Sequence, residues 1–541
     1  MSTPCILAFF SSRFHSVSRT VLRSRWVKAV ASGVCLAAAF PPLEWSWMAW
    51  IAWIPLFGAL RESRGRDAIR NGFLAGAVFW SLSLFWMTRV TVAGWAGLSL
   101  YCALFAIPFS YFVSRWTCRY GTQSTAANIG LAFGGAVVWT GFEYLRAILF
   151  TGFPWNAAGV SQYKNIALLQ MASFGGVFAV SWILLAVNLL LAAAGYVAVH
   201  SVRKRFPLEL SAATGLVVAS MGCGSLLLRT IPPSDSSVRL GLIQPAISQY
   251  EKWTPEFVSQ NHEILRRLSE TAIREGAPDL VVWPETAVTE SLRADEEAYH
   301  LVRAVTDLGP PLLLGVVGQE LSSAGKPLYF NRSMLLGPQA TLLQTYDKQH
   351  LVVYGEYVPW GDRFPYLRSL TPFEYDITPG TESVIFHLNS RDLRFSVLIC
   401  FEDVISDLSR RAVRKGARLL VNQTNDAWFD GSSASRQHIA QAVFRCVENR
   451  VPMARCGNSG WTGWIDAAGR IGGGTSDPLP IVSSEGGVVR DYAIVDIPFR
   501  KEVERLPLQA LDGEVFGVGT AILGVGLCAG LHSRQRRKPC P

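Results

Sequence analysis

The chain has 541 residues, half of them hydrophobic and only 17% charged, with 18 tryptophans; that is too little charge for an ordinary soluble enzyme and too much for a bundle lying wholly in a membrane. Its formal charge is +9 and its pI near 9.1, but the basic residues gather at the ends of apolar segments, which argues for a topology signal and against nucleic acid as a partner. The composition implies a hybrid of membrane and soluble parts.

In chain order, eight spans are predicted: Ala29–Phe40, Trp45–Leu60, Gly72–Met87, Val90–Ser114, Tyr120–Phe142, Asn165–His200, Pro207–Leu228 and Val515–Leu531. A hydrocarbon core of about 30 Å needs roughly 20 helical residues. Val90–Ser114, Tyr120–Phe142 and Asn165–His200 supply that length without charge, while some of the others are short and the first runs into Pro41-Pro42. Arg13, Arg19, Arg23, Arg25 and Lys28 precede the first span. Arg61, Arg64, Arg66 and Arg70 follow the second, Arg115 and Arg119 the fourth, Arg203, Lys204 and Arg205 the sixth, and Arg534, Arg536, Arg537 and Lys538 the last. Short cytoplasmic loops carry the excess of Lys and Arg. The pattern therefore predicts cytoplasmic tails at 1–28 and 532–541, a seven-span bundle over 29–230, an eighth span at 514–531, and an extracytoplasmic domain at 236–506. A cleaved signal peptide ending after Ala29–Phe40 is the alternative, but Trp45–Leu60 follows at once and cleavage would reverse the charge alternation.

Inside the spans, Glu143 and Arg146 stand three apart, on one helical face, just before Thr151-Gly152-Phe153-Pro154-Trp155. Charges at membrane depth are paired or functional, so headgroup handling and a structural ion pair are both open. Trp45, Trp47, Trp50 and Trp53 read as interfacial anchors.

Between 236 and 506 ordinary charge returns and strand and helix patterns alternate. Strands are predicted at Val238–Gln244, Leu280–Trp283, Pro311–Val317, Ser333–Leu336, Ser383–Leu388, Phe395–Cys400 and Arg418–Asn422. Helices are predicted at Glu256–Glu275, Glu296–Asp307, Ser406–Lys415 and Ser435–Arg450, which together argue for an α/β layered domain. No CxxC pair or HExxH spacing occurs, so neither a metal nor another cofactor is implied. Cys446 and Cys456 read either as a pair or, preferably, as small buried side chains. Asn331-Arg332-Ser333 and Asn422-Gln423-Thr424 match the glycosylation sequon, a pattern too common to weigh.

Three islands carry chemistry. Val281-Val282-Trp283-Pro284-Glu285-Thr286 offers a carboxylate, Tyr346-Asp347-Lys348-Gln349-His350-Leu351 an ammonium, and Val397-Leu398-Ile399-Cys400-Phe401-Glu402 a thiol. Each alone has a plainer reading, as a helix-entry residue, a solvated loop charge and a core cysteine. Jointly they supply what a working thiol needs: a base for its proton and a cation for the thiolate and the oxyanion that follows. Glu285 and Cys400 each follow a predicted strand, where α/β domains place their sites. Glu356 and Glu402 add two carboxylates able to orient the lysine or shift its neighbours' pKa values.

These islands, in this order, resemble the nitrilase superfamily with its Glu-Lys-Cys triad. With the spans, the TGFPW loop and the late run Asn422–Trp428 followed by Gln437-His438, the chain resembles the membrane-embedded bacterial apolipoprotein N-acyltransferase family from about Ala29 to Leu531. The resemblance implies an αββα sandwich on the outer face of the inner membrane, with a phospholipid as acyl donor, the N-terminal diacylglyceryl-cysteine of an apolipoprotein as acceptor, and no cofactor. It implies Glu285 as general base, Lys348 as stabilising cation and Cys400 as nucleophile. It makes Glu356 and Glu402 supporting, and Trp253 and Phe401 substrate-facing. Val353-Tyr354 and the Asp430–Arg436 loop depart from the family pattern. A membrane-tethered carbon–nitrogen hydrolase and a non-catalytic lipoprotein-binding protein are the rival readings; the intact triad weighs against the second, the membrane frame against the first.

Overall fold

A computed structural model describes residues 24–200, 206–290, 292, 295–370, 375–429, 431–472, 490–502 and 506–535. Arg13, Arg19, Arg23, Arg203, Lys204, Arg205, Asp430, Arg536, Arg537 and Lys538 lie outside the described residues. The chain divides into two compact units, one holding the residues up to Leu226 and from Glu514 onward, the other Leu227–Gly513.

The first unit is helical. Among the described residues five helices are long and apolar enough to cross a membrane: Val92–Tyr120, Thr125–Thr151, Ala172–His200, Leu208–Arg229 and Val515–Ser533. The three earliest predicted spans take other forms. Ala29–Phe40 overlaps the 14-residue helix Arg25–Ala38, which ends three residues before Pro41-Pro42. Trp45–Leu60 splits into a 3₁₀ turn, Ser46–Trp50, and an eight-residue helix, Ile54–Arg61, because Pro55 lacks an N–H and favours a helix start over a helix interior. Gly72–Met87 overlaps Arg66–Ser83, whose first turns carry Arg66, Asp67 and Arg70. Further on, Gly121 at φ +68° ends one long helix and the Ser124 hydroxyl accepts from Ala127 N–H to start the next, so Tyr120 closes the earlier span.

Buried polar groups tie the short helices to the long ones. The Asn188 side chain donates to Ala49 O (2.9 Å) and accepts from Trp53 N–H (3.0 Å). Gly141 lies so close to the Thr520 backbone that an added Cβ would sit 2.4 Å from its carbonyl oxygen, the close approach small residues allow between membrane helices. Val218, Leu226, Val515, Ile522, Leu523 and Val525 are exposed on the two least covered long helices, a surface suited to lipid.

The second unit contains strands β1 Ser236–Gln244, β2 Leu280–Val282, β3 Leu312–Leu321, β4 Pro327–Gly337, β5 Thr341–Asp347, β6 Phe386–Leu388, β7 Leu393–Ile399, β8 Leu419–Thr424, β9 Met453–Gly457, β10 Gly463–Ile465 and β11 Asp491–Phe499. They form a six-stranded sheet, β11-β1-β2-β3-β4-β5, and a five-stranded sheet, β10-β9-β8-β7-β6. The centre of each is parallel, β1-β2-β3 in one and β7-β8-β9 in the other. Strand alternation explains the layering. Leu280 and Val282 join Val397, Ile399 and Val421 in one core between the sheets, while Val281 and Trp283 join Leu265, Val302 and Val305 in a second core. The latter come from helices α1 Val258–Gly276 and α2 Glu296–Thr306; α3 Ser406–Arg414 and α4 Ala434–Asn449 belong with the second sheet's segments. These cores give the first helix layer and the two sheets of the predicted αββα order.

Candidate active site

Each catalytic candidate lies at or just past the end of a strand. Glu285 comes three residues after β2, Lys348 directly after β5 and Cys400 directly after β7. The sheets are fastened together at these ends. Gln423, the penultimate residue of β8, donates to Trp283 O (2.6 Å) and Leu313 O (3.3 Å). The Cys456 thiol bridges to Ile243 O and Val282 O at 3.3 and 3.2 Å. Cys456 and Cys446 are free and buried, as the preferred reading expected.

Lys348 is 1% exposed, and its ammonium donates to Glu356 Oε1 at 2.9 Å and Glu285 Oε1 at 3.4 Å. Burial opposes its charge, but Glu356, Glu285 and the Cys400 sulfur outweigh burial and raise its pKa, so it stays an ammonium throughout the working range. Asn331 Nδ2 joins the two carboxylates, donating to Glu285 Oε1 (2.7 Å) and Glu356 Oε1 (2.9 Å), and Val352 N–H holds the other Glu356 oxygen at 2.8 Å. Cys400 is half-buried at φ +52°, a conformation costly for a residue with a Cβ and found where function demands it. Burial, the Glu285 charge and the Asp426 charge push its thiol pKa up, against the pull of Lys348. The resting site is therefore a protonated thiol beside a carboxylate and an ammonium. That pairing can move a proton from sulfur to carboxylate as a bond forms and can hold an oxyanion against a fixed positive charge.

Glu402 does not face this proton path. It is fully buried, and its carboxylate accepts from Tyr346 O–H (2.8 Å), Ile399 N–H (2.8 Å), Gln349 N–H (2.7 Å) and His350 N–H (3.0 Å). It pins the residues after Lys348 to the residue before Cys400. Glu402→Gln replaces one of the two acceptor oxygens by an NH2 donor, set against either Gln349 and His350 N–H or Tyr346 O–H and Ile399 N–H, so the thermal midpoint should fall by roughly 5–10 °C while the pH dependence of any residual thiol chemistry stays put. An unaltered midpoint with an altered pH profile would make Glu402 a base instead.

A second charged cluster reaches Cys400 through Asn422. Arg455, fully buried, donates to Asp403 Oδ2 (2.6 Å), Asp426 Oδ2 (3.0 Å) and Asn422 Oδ1 (2.8 Å). His438 lies 2.7 Å from Asp403 and 3.2 Å from Asp426. Burial and Arg455 oppose its charge, yet the two carboxylates hold its pKa above the ordinary value. Asn422 passes this order to the nucleophile, donating to Leu398 O (3.1 Å) and Cys400 O (3.0 Å). Both sequon asparagines are thus buried site residues whose amides are engaged.

Among the expected substrate-facing residues, Trp253 is 42% exposed and the Phe401 ring stacks on His350 at 5.9 Å. Glu143 and Arg146, in the helical unit, turn to the loop after their own helix. Arg146 donates to Phe153 O and to Trp155 O (2.9 Å) and lies over the Trp80 ring, while Glu143 accepts from Ala158 N–H and Trp139 Nε1–H, both at 2.8 Å. Sequence reasoning passed over Lys252 next to Trp253. Its buried ammonium donates to Glu285 O at 2.9 Å, and burial lowers its pKa to about 8. Among the described residues no cluster of three or more His, Cys, Asp or Glu side chains is placed to hold a metal ion.

Residues 32–190 match the family model of the apolipoprotein N-acyltransferase N-terminal domain, and residues 239–486 that of carbon-nitrogen hydrolase. The chain is 36% identical to the apolipoprotein N-acyltransferase of Geobacter metallireducens over 472 residues, covering 84% of this chain and 87% of the relative. It is 30% identical to that of Chlorobaculum tepidum over 478 residues, covering 81% and 86%. A solved amidase from Nesterenkonia sp. aligns with a TM-score of 0.35 at 18% identity, over 50% of this chain and 94% of its own.

Proposed function

The chain belongs to the apolipoprotein N-acyltransferase family and is an acyltransferase of lipoprotein N-acylation, and we propose that Glu285, Lys348 and Cys400 carry the chemistry through a thioester. The donor is a phospholipid and the acceptor the α-amine of a diacylglyceryl-cysteine at an apolipoprotein N-terminus. Glu285 takes the Cys400 proton as sulfur attacks the ester carbonyl, and Lys348 holds the oxyanion. Collapse breaks the ester C–O bond, and Glu285 returns the proton to the departing lysophospholipid. In the second half-reaction the amine attacks the thioester, Glu285 takes its proton, the C–S bond breaks and the Cys400 thiol is restored. Glu356 and Asn331 hold Lys348 and Glu285 in register. Trp253 and Phe401 are the proposed substrate contacts, and Glu143 and Arg146 act on the substrate through the loop they brace.

The observation supporting this reading most directly is the fully buried Lys348, held between Glu285 and Glu356 while its charge and that of Glu285 act on a thiol with strained backbone. Mass spectrometry of purified protein mixed with phospholipid should find an acyl adduct on Cys400 that passes to an amine-terminated lipopeptide. Discharge to water alone would make the protein a hydrolase, and no adduct would remove the thioester.

The remaining proposal concerns place: the bacterial inner membrane, with tails at 1–28 and 532–541 inside and the 236–506 domain outside, as the basic loops suggest. A membrane-impermeant thiol reagent should label cysteines engineered into 236–506 of intact cells and miss those at Arg61–Arg70. The reverse pattern would sink this orientation, because the lipoprotein acceptor lies outside.

A further inference from the structure

Glu285 sits on a kinked segment. Thr286 stands at φ +43°, costly for a residue with a Cβ, and Gly315 lies so close to Pro284 that an added Cβ would sit 2.2 Å from the Pro284 carbonyl oxygen. Glu285 is buried there, so its main-chain groups need partners from the protein. Lys252 supplies one. Its ammonium, 5% exposed, donates to Glu285 O at 2.9 Å, a charge-assisted bond stronger than one from a neutral donor. Lys348 Nζ takes Glu285 Oε1 at 3.4 Å. One buried ammonium thus grips Glu285 at its main chain and another at its carboxylate.

The turn that delivers Lys252 is fastened without help from Glu285. Asn458 O accepts from Ala246 N–H (2.9 Å), and the Asn458 side chain accepts from Ile247 N–H (3.2 Å) and donates to Ile247 O (2.8 Å). Asn458 Nδ2 also donates to Asn425 Oδ1, and Asn425 Nδ2 donates to Gln249 Oε1, both at 2.9 Å. The Ser248 hydroxyl caps the turn by accepting from Glu251 N–H at 3.2 Å. Asn425 and Asn458 are buried and directly follow β8 and β9. Strand ends of the five-stranded sheet therefore set where the ammonium lies, and the ammonium imposes that place on a residue at the end of β2, in the other sheet.

We propose that Lys252 is a positioning residue for the acyl transfer, its ammonium fixing the main chain of Glu285 so that the carboxylate lies where the Cys400 proton leaves. The inference rests on the reading of Glu285 as base to a thioester-forming Cys400. The charged groups that face the ammonium are Glu285 and Cys400, which hold its pKa up against the larger effect of burial, and Lys348 meets Glu285 from the carboxylate end. The main effect of Lys252 runs through Glu285, with a smaller one of its charge on the sulfur.

The test uses p-nitrophenyl butyrate and the full-length protein in detergent at neutral pH. Sulfur attacks the ester carbonyl, its proton passes to Glu285, the C–O bond breaks and p-nitrophenolate leaves. The absorbance burst and the mass of the Cys400 peptide then read the first half-reaction. In Lys252→Met the burst rate at saturating ester should fall roughly 10²-fold, the loss that follows when a reacting group is displaced by about 1 Å, with the half-saturating concentration unchanged. Lys252→Gln, neutral and shorter, should do the same. In the Glu285→Gln background the Met substitution should cost no more than about tenfold, because groups that act as a unit are not additive. A full second loss there would overturn the proposal, since Lys252 would then act apart from the base. So would a wild-type burst in both Lys252 variants, a raised half-saturating concentration at an unchanged burst rate, or failure of both variants to fold. The ester is neither phospholipid nor lipopeptide. A wild type that it acylates at Cys400 and phospholipid does not would sink the phospholipid reading while the Lys252 comparison stands. Intact transfer from phospholipid with no loss in the Lys252 variants would sink Lys252 alone, and a Cys400 acylated by neither would sink both.

Discussion

Cys400→Ser is expected to cut acyl transfer to below about one part in 10⁴ of the wild-type rate while leaving the protein folded. The swap removes little volume, and serine meets the same φ of +52° with the same backbone bond from Asn422 to the residue 400 carbonyl. What changes is the acid to be ionised. Even the cysteine thiol is held above its ordinary pKa here by burial and two carboxylates, and a hydroxyl starts several units higher still, beyond what Lys348 can offset. The measurement is single-turnover transfer from phospholipid to lipopeptide, beside the thermal midpoint and the mass of the protein. Serine at full expression and wild-type rate would remove Cys400 as the nucleophile.

The proposed triad stood out in the sequence because each member sits where a local pattern breaks. β2 is a continuous apolar run and β7 ends in one, Val397–Ile399, the mark of a strand covered on both faces, and a charged or nucleophilic residue at or just past such a run stands out. The helices α1 and α2 were legible for the same reason, since amphipathic periodicity is written locally. Asn331, Asn422 and Arg455 were not. Their burial depends on which strands lie beside β4, β8 and β9, a long-range fact, and the two asparagines were masked by a sequon. Lys252 was passed over because only the turn of Gln249–Lys252 brings it onto Glu285 O. β5 and β11 were missed as edge strands. β5 exposes Leu342 and Leu343, and β11 carries Pro498 and pairs with β1 far earlier in the chain, Phe499 lying against Ser236. Hydropathy alone cannot see that Pro55 restarts a helix inside the apolar run Trp45–Leu60.

Glu285→Gln should slow thioester formation by roughly 10²–10⁴-fold at neutral pH, the usual loss when a general base is removed. The amide keeps the shape, and its oxygen can still accept from Asn331 and Lys348, so the site should stay assembled. The pH dependence is the sharper reading. In the wild type the thiol gives its proton to Glu285 as it attacks, so little is gained by raising pH. In the variant only pre-formed thiolate can react, and its fraction grows about tenfold per pH unit below the thiol pKa. Losing the Glu285 charge also lowers that pKa, because this carboxylate is one of the groups holding it up. Recovery should therefore be steep from neutral pH and flatten below about pH 8, because the Glu285 charge helps to hold up the Lys252 pKa of about 8 and without it Lys252 loses its positive charge earlier. Transfer to the amine should recover separately, following the ionisation of the acceptor's own ammonium. Single-turnover assays of Cys400 acylation and of lipopeptide transfer, each run across pH, resolve the two. If both steps keep wild-type rates and a flat profile, Glu285 is structural. Glu356, the remaining carboxylate on Lys348, would then be the base.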